Sequence, residues 1–411
     1  MSKAFCKSIG KHPLVNKRKR TILSLFADKI AIGKSLKLRR DDHGAFKQLM
    51  SAALGMKLLL LLLLGVTAVN AFSCKDQNNK DVDWWFAYKL PKMRDSSVNG
   101  LDNGHAFYYL DSNNPAFVAS QNDLTSQDQA IAHTLEQYYK VKDDASIFHV
   151  MYNDDTAIEQ MGLFEEIANI TEDLRAGQYG HTKGVAFFNK NDGVWYVHSV
   201  PRFPSASSYQ YPDSGRIYAQ SMLCMSLNYD QLKNVGTQLY FNHPDIYSSQ
   251  LPTSMAAKNP DLAKVIGGQH KTGSPTSSVI DLTTKGGTTF RSFAKTGEFG
   301  QDLYDGLVAP NLETALNVET WRRGSVIDLN CDTSYVVLDA QEMKVGDVQQ
   351  FKYTKDHSKI AVAATAHLPY VCVGDINRMK SQFARGGGTV CLNNIAVWNA
   401  YAPLIQTTNS C

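Results

Sequence analysis

The chain has 411 residues, 42 Lys and Arg against 39 Asp and Glu, and 43% apolar residues. That length suits roughly two to three ordinary domains, and 20% charged with 10% aromatic residues excludes a wholly disordered chain, a collagen-like repeat and a polytopic membrane protein. The net charge of +3 hides an asymmetry: residues 1–55 hold 13 Lys and Arg and 3 Asp and Glu, a net of +10, so the remainder carries −7 and the basic balance does not argue for nucleic-acid binding by the body. Met56-Lys57 opens a run of seven leucines, Leu58 to Leu64, and small residues lead to Ala71. One charge, an apolar core and small residues ahead of a cut after Ala71 read as a secretory signal peptide over 56–71. Residues 1–55 are then a basic N-terminal extension with two readings. Either Met56 is the true start and the extension is not translated, or it is a cytoplasmic tail with 51–71 as an uncleaved anchor. Both deliver residues after 72 to the same side of a membrane.

Six cysteines follow the signal: Cys74, Cys224, Cys331, Cys372, Cys391 and Cys411. An even number after a signal peptide suggests three disulfides in an oxidising compartment, although spacing alone does not choose the pairing. Trp84 to Tyr88, closed by Pro91, reads as a buried strand. Ser126-Gln127-Asp128-Gln129 resembles a capping box before Ile131, Leu135, Tyr138 and Tyr139, which share one helical face. Asn169-Ile170-Thr171 is a glycosylation sequon. Val185 to Phe188 and Val194 to Val200 flank Asn189 to Gly193 and form a hairpin. Residues 271–289, rich in Ser, Thr, Gly and Pro, read as a surface connection between an N-terminal half, 72–270, and a C-terminal half, 271–411. In the second half, Ile360 to Ala364 and Tyr370 to Val373 read as strands, followed by a turn-rich stretch through Gly386-Gly387-Gly388. Arg385 to Gly388 is only superficially a phosphate loop and reads better as a tight loop near a site. Interleaved strands and helices give a mixed α/β class.

Two short segments repeat across the chain. Gly180-His181-Thr182-Lys183 leads to His198, and Asp356-His357-Ser358-Lys359 leads to Asp375. Each is His-x-Lys, a strand, a turn, a second strand and a polar residue at its end. Residues i and i+2 of a strand share a face, so His181 pairs with Lys183 and His357 with Lys359. If the halves pack about a pseudo-two-fold axis, two imidazoles and two ammonium groups meet in one cleft. That is an anion site suited to a phosphodiester: one neutral His attacks phosphorus, the other protonates the leaving oxygen, and the lysines hold the non-bridging oxygens. No metal is required, and no cofactor is implied. A single His-x-Lys is more often a solvated pair, and His198 alone could be a hydrogen-bonded core histidine. Ser292-Phe293-Ala294-Lys295 mimics a Ser-x-x-Lys nucleophile but lacks the companion motifs.

With these residues in view, the chain resembles the deoxyribonuclease II family. The matching stretches are Val82-Asp83-Trp84, Tyr88 to Pro91, Gly180 to Val185, His198 to Pro201, Phe290 to Lys295, Phe299-Gly300, Asp302 to Tyr304, Asp356 to Lys359, Cys372 to Asp375, Asn377-Arg378, and Arg385 to Thr389 with Cys391. The resemblance spans nearly all of 74–411. It implies a phospholipase D-like pseudo-dimer of two mixed-sheet α/β halves with the active site between them. It also implies metal-independent cleavage of DNA in acid, leaving 3′-phosphates. His181 would be the nucleophile and His357 the general acid, with Lys183, Lys359 and His198 completing the catalytic set and Asp375, Asn377 and Arg378 binding substrate. The family's disulfides imply Cys74–Cys224, Cys331–Cys411 and Cys372–Cys391. The expected setting is secreted or lysosomal, with DNA as partner, no metal, no stable membrane association after signal cleavage, and a homodimer compatible with the sequence. A secreted non-catalytic relative that binds DNA or a host partner is the competing reading. One departure stands out: Ile360-Ala361 replace a Trp-Cys pair found in vertebrate relatives, which puts packing beside His357 in question. Residues 72–411 sum to about −8, and nine histidines, if all protonated in acid, would bring that to about +1. Binding as well as chemistry is therefore expected to favour acid.

Overall fold

The computed structural model describes residues 71–94, 98–155 and 178–411. The basic extension, the signal peptide and the Asn169 sequon lie outside the described residues.

Two short strands, β1 (Cys74–Lys75) and β2 (Asp81–Val82), pair as a ribbon. The first large sheet contains β3 (Trp84–Lys89), β4 (Phe107–Asp111), β5 (Val118–Ala119), β6 (Phe148–Asn153), β7 (Lys183–Phe188), β8 (Asp192–His198), β9 (Gln220–Asn228) and β10 (Ile246–Gln250). Its order is β10-β6-β7-β8-β9-β3-β4-β5, antiparallel throughout. The second contains β11 (Ser277–Thr283), β12 (Thr289–Lys295), β13 (Leu316–Glu319), β14 (Val337–Met343), β15 (Phe351–Lys352), β16 (Ile360–Ala363), β17 (Tyr370–Gly374), β18 (Gly387–Asn393) and β19 (Ile405–Thr408). Its order is β11-β12-β18-β17-β16-β13-β14-β15, with β19 also on β14 and only β13–β14 parallel. The helices are short: α1 (Ala130–Tyr139), α2 (Leu232–Asn242), α3 (Pro260–Ile266) and α4 (Ile395–Tyr401) are the longest. The class is mixed α/β, weighted towards β.

The strand β3 shows why the sheets face each other. Trp84, Phe86 and Tyr88 enter a core shared with Phe290 of β12 and Val373 of β17, while Trp85 and Ala87 enter a separate core on the opposite face. Burial on both faces explains the unbroken aromatic run. Phe86 lies 6.3 Å from Phe290, and residues of α2 and α4 join this shared core. Ile131, Leu135 and Tyr138 of α1 cover the other face of the first sheet, as their spacing predicts. The helix cap differs from expectation: Gln129, not Ser126, caps α1, and its side chain accepts from the Ile131 amide. The 271–289 stretch also differs, since it contains β11. Ser277, Ser278, Asp281 and Thr283 make that strand polar because it is a sheet edge, with Val279 39% exposed.

All three expected disulfides are present: Cys74–Cys224, Cys331–Cys411 and Cys372–Cys391. The last joins directly paired residues of β17 and β18. Among the described residues, no helix is long and apolar enough to cross a membrane.

Candidate active site

The strands β7 and β16 begin at Lys183 and Ile360, so His181 and His357 lie just ahead of them. The expectation that each His-x-Lys sits within its strand is corrected. The reason is where the backbone bonds go. The His181 amide donates to Gly386 O at 2.8 Å, and the His357 amide donates to Ala219 O at 2.9 Å. Gly386 immediately precedes β18 and Ala219 immediately precedes β9, so each segment binds the opposite part of the chain.

The rings follow the same scheme. His181 Nδ1 meets the carbonyl of Asp375, which follows β17, and His357 Nδ1 lies 3.2 Å from the carbonyl of Ser199, which follows β8. Those two residues are themselves anchored alike. Ser199 N donates to Ser221 O at 3.0 Å, and Ser221 N donates to Ser199 Oγ at 2.9 Å. Asp375 N donates to Gly388 O at 3.3 Å, and Gly388 N donates to Asp375 Oδ1 at 3.0 Å. The counterpart of Asp375 in this bonding is therefore Ser199, one residue beyond the His198 that sequence spacing pairs with it.

Side-chain surroundings differ between the two. Asn377 Nδ2 lies 3.2 Å from His181 Nε2. Asp154, just past β6, contacts Lys183 Nζ, sits 3.1 Å from Arg385 Nη2 and 3.6 Å from His181 Nε2. Burial pushes the Asp154 carboxyl up, but the charges of His181, Lys183 and Arg385 outweigh it and hold it well below the usual carboxylate range. Around His357, Gln220 Oε1 lies 3.1 Å and Lys359 Nζ 3.2 Å from Nδ1, and the same ammonium donates to His357 O at 2.6 Å. Trp321 places its ring 5.1 Å away at 61°. That indole supplies a ring beside the second His, while Ile360 and Ala361 are fully buried, so the departure from the vertebrate pattern leaves a packed site. Behind it, Tyr88 donates to Asp356, whose carboxyl burial pushes up.

The two histidines and two lysines feel one another. Burial first, then Lys183, Arg385 and Lys359 against the opposing pull of Asp154, hold His181 well below the ordinary imidazole value. Burial, then Lys359, Lys183 and His181, does the same to His357. Burial and Lys183 depress Lys359. Burial raises Asp375 to about 6, and its Oδ2 accepts from Thr182 Oγ1 at 2.5 Å.

The remaining expected site residues sit apart from this cluster. His198 is fully buried between Tyr196 and Phe203, and its Nδ1 accepts from Val200 N at 3.2 Å. It makes no hydrogen bond to either histidine, and burial followed by Lys183 holds it at about 3. Arg378 is buried, with its guanidinium directed at Asp302, Asp305 and Asp339. Asp154, Ser199, Gln220 and Trp321 join the site without having been singled out in the sequence. A polar pair closing an apolar strand, Asp154-Asp155, is the only trace that Asp154 leaves. Arg385 and Gly386 fit the tight loop expected near the site. Among the described residues, no group of three or more His, Cys, Asp and Glu side chains could hold a metal ion. The donors present suit a phosphate-sized anion: two imidazoles and the cations Lys183, Lys359 and Arg385 around one carboxylate.

Comparison with known proteins agrees with this chemistry. The sequence profile of the family described as Deoxyribonuclease II matches residues 73–411. The chain is 51% identical to Deoxyribonuclease-2 of Caenorhabditis elegans, over 86% of this chain and 98% of that protein. It is 37% identical to Deoxyribonuclease-2-alpha of Rattus norvegicus, over 86% and 98%. It is 36% identical to Plancitoxin-1 of Acanthaster planci, over 88% and 98%.

Proposed function

The chain belongs to the deoxyribonuclease II family and is a DNA-degrading endonuclease, and from that premise we propose a metal-independent, histidine-based hydrolysis in acid. The observation that carries the proposal is the reciprocal clamp: each His-x-Lys segment is fixed by the far half of the chain. This favours a phospholipase D-like pseudo-dimer with halves 72–270 and 271–411 and one site at their junction.

His181 is the nucleophile. Its Nδ1–H donates to the Asp375 carbonyl, which places the lone pair on Nε2, 3.2 Å from the Asn377 amide nitrogen that the substrate would displace. Nε2 attacks phosphorus and the P–O5′ bond breaks. His357 gives a proton to the departing 5′-oxygen. A phosphohistidine carrying the 3′-nucleotide remains, and the Asp375 carbonyl offsets the new positive charge on the ring. His357, now neutral, takes a proton from water. The hydroxyl attacks phosphorus, the P–N bond breaks, and a 3′-phosphate leaves with His181 restored. Lys183 and Lys359 hold the non-bridging oxygens, and Asp375 and Asn377 position His181.

The depressed imidazoles suit acid. A neutral His181 persists where an ordinary histidine would be protonated, and a charged His357 is populated only as pH falls and the bound phosphate adds its negative charge. Charge reversal in acid is smaller than the histidine count suggests, because burial depresses six of the nine histidines of the body: His105, His149, His181, His198, His243 and His357. Acid dependence is thus assigned mainly to chemistry rather than to long-range attraction. Three disulfides fit a secreted or lysosomal setting. The test is plasmid cleavage by residues 72–411 at pH 5 in EDTA, compared with His181→Ala and His357→Ala. Cleavage in EDTA that both substitutions abolish is expected; a requirement for metal contradicts the proposal.

A further inference from the structure

A cleft of about 290 Å³ opens beside the His181 segment, bounded by Tyr179, His243, His270, Thr296 and Arg385. Three rings are arrayed along it. His243 and His270 stack at 3.6 Å with planes 17° apart, and Tyr179 lies 5.1 Å from His243 at 50°. All three are half-buried. The stack is wired to the active site. His243 ends α2 with φ 53°, and its carbonyl accepts the amide of Gly180, the residue before His181, at 2.7 Å. Arg385 donates to Tyr179 O and Gly180 O, each at 3.1 Å, as well as to Asp154.

A second observation points to a ligand. Thr296, 3% exposed, lines the cleft, and its Oγ1 has no hydrogen-bond partner. A buried hydroxyl left unpaired is costly, and an incoming polar group that reaches it would offset that cost. The chemistry of the walls selects that group. Lys271 directs its ammonium at the carbonyls of Thr272, Gly273 and Ser274. Glu298 places a carboxylate on the rim, accepting from Gly273 N at 2.9 Å. A free phosphate would meet an occupied ammonium, an Arg385 guanidinium already held by Asp154 and two carbonyls, and a like charge, whereas a nucleobase would meet a ring face and, on rotation of Thr296, its unpaired hydroxyl.

We propose that this cleft is a nucleotide subsite, in which one base of the DNA strand flanking the scissile bond stacks on His270 at the end of the ring array, with Tyr179 at the other end, and bonds the Thr296 hydroxyl on rotation of that side chain. The assignment rests on the nuclease reading above and deepens it by placing the strand beyond the cut. Stacking on rings tolerates any base, so the subsite adds affinity without selecting sequence.

Binding, not cleavage, tests it. In the His181→Ala background, a short fluorescent single-stranded oligonucleotide is titrated at pH 5 in EDTA, alongside an abasic oligonucleotide of equal length. His270→Ala is expected to raise Kd for the intact strand about five-fold or more, the low end for one base–ring stack, and to leave abasic binding unchanged. His270→Phe restores affinity, which a role in folding alone would not predict. Equal Kd in the parent, His270→Ala and Tyr179→Ala, or an equal loss for intact and abasic DNA, overturns the subsite. Failure of the parent chain with His181 intact to cut DNA would instead overturn the chemistry proposed above and leave this binding result standing.

Discussion

The His181 and His357 segments share one backbone scheme and differ in what surrounds the rings. Each amide donates to a carbonyl that opens a distant strand, and each Nδ1 faces a carbonyl that follows another. Yet His181 has Asp154 and Asn377 at Nε2. Among the described residues, no carboxylate pairs with His357, which instead has Trp321, Gln220 and the Lys359 ammonium. A repeated frame fixes position, and the unrepeated side chains make the two rings unlike. In the proposed mechanism, the ring whose Nδ1 faces the Asp375 carbonyl and whose Nε2 lies beside the Asn377 amide is the one that attacks. The ring beside the Lys359 ammonium is the one proposed to give up a proton.

Removing either ring should have the greatest effect. His357→Ala should reduce turnover by ~10²–10⁴-fold, the usual contribution of a general acid, and His181→Ala should reduce it at least as far. Steady-state cleavage of plasmid measures both. Equal activity in either variant would remove that ring from the mechanism. The unshared carboxylate comes next. Asp154→Asn leaves Lys183 and Arg385 buried without their counter-charge, so the chain should lose ~3–5 kcal/mol of stability in denaturant unfolding.

A smaller change sharpens the equivalence of Ser199 and Asp375. Asp375→Ser should keep a side-chain acceptor for Gly388 N, as Ser199 does for Ser221 N, and be less destabilising than Asp375→Ala by about 1 kcal/mol. Thermal unfolding at pH 5, below the value of about 6 to which burial raises Asp375, compares neutral groups. If Ser and Ala behave alike there, the shared anchor is not what Asp375 contributes. A pH-dependent effect concerns His198. Its folded value of about 3 lies below the ordinary ~6.5, so the unfolded chain binds the extra proton between those limits. Its contribution to stability is therefore present above pH 6.5 and is lost as pH falls towards 3. His198→Gln should flatten that fall by up to ~1.4 kcal/mol per pH unit. An unchanged slope would mean that this imidazole does not titrate with unfolding.

Much of this was legible in the residues, and the exceptions have causes. Fully buried strands announce themselves: Trp84 to Tyr88 and the hairpin of β7 and β8 are continuous apolar runs because both faces are covered. The edge strand β11 escaped because one ladder side meets solvent and its residues read as turn formers. The His-x-Lys pairs were visible as repeats, and their fixation was not. Gly386 and Ala219 contribute carbonyls, which any residue carries. Asp154 meets Arg385 across 231 residues, a pairing that no local pattern encodes. Spacing also chose His198 over Ser199, since a histidine draws notice near other histidines while a serine anchoring backbone does not. The disulfides followed from family resemblance rather than from spacing, and all three stand as expected.

In the proposed mechanism His181, not His357, takes the phosphoryl group. Rapid acid–base quench of the reaction with a labelled oligonucleotide, followed by peptide mapping under conditions that preserve phosphoramidates, reads it directly. A nucleotide adduct is expected on the peptide containing His181. An adduct on His357, or turnover with no adduct at all, would contradict it.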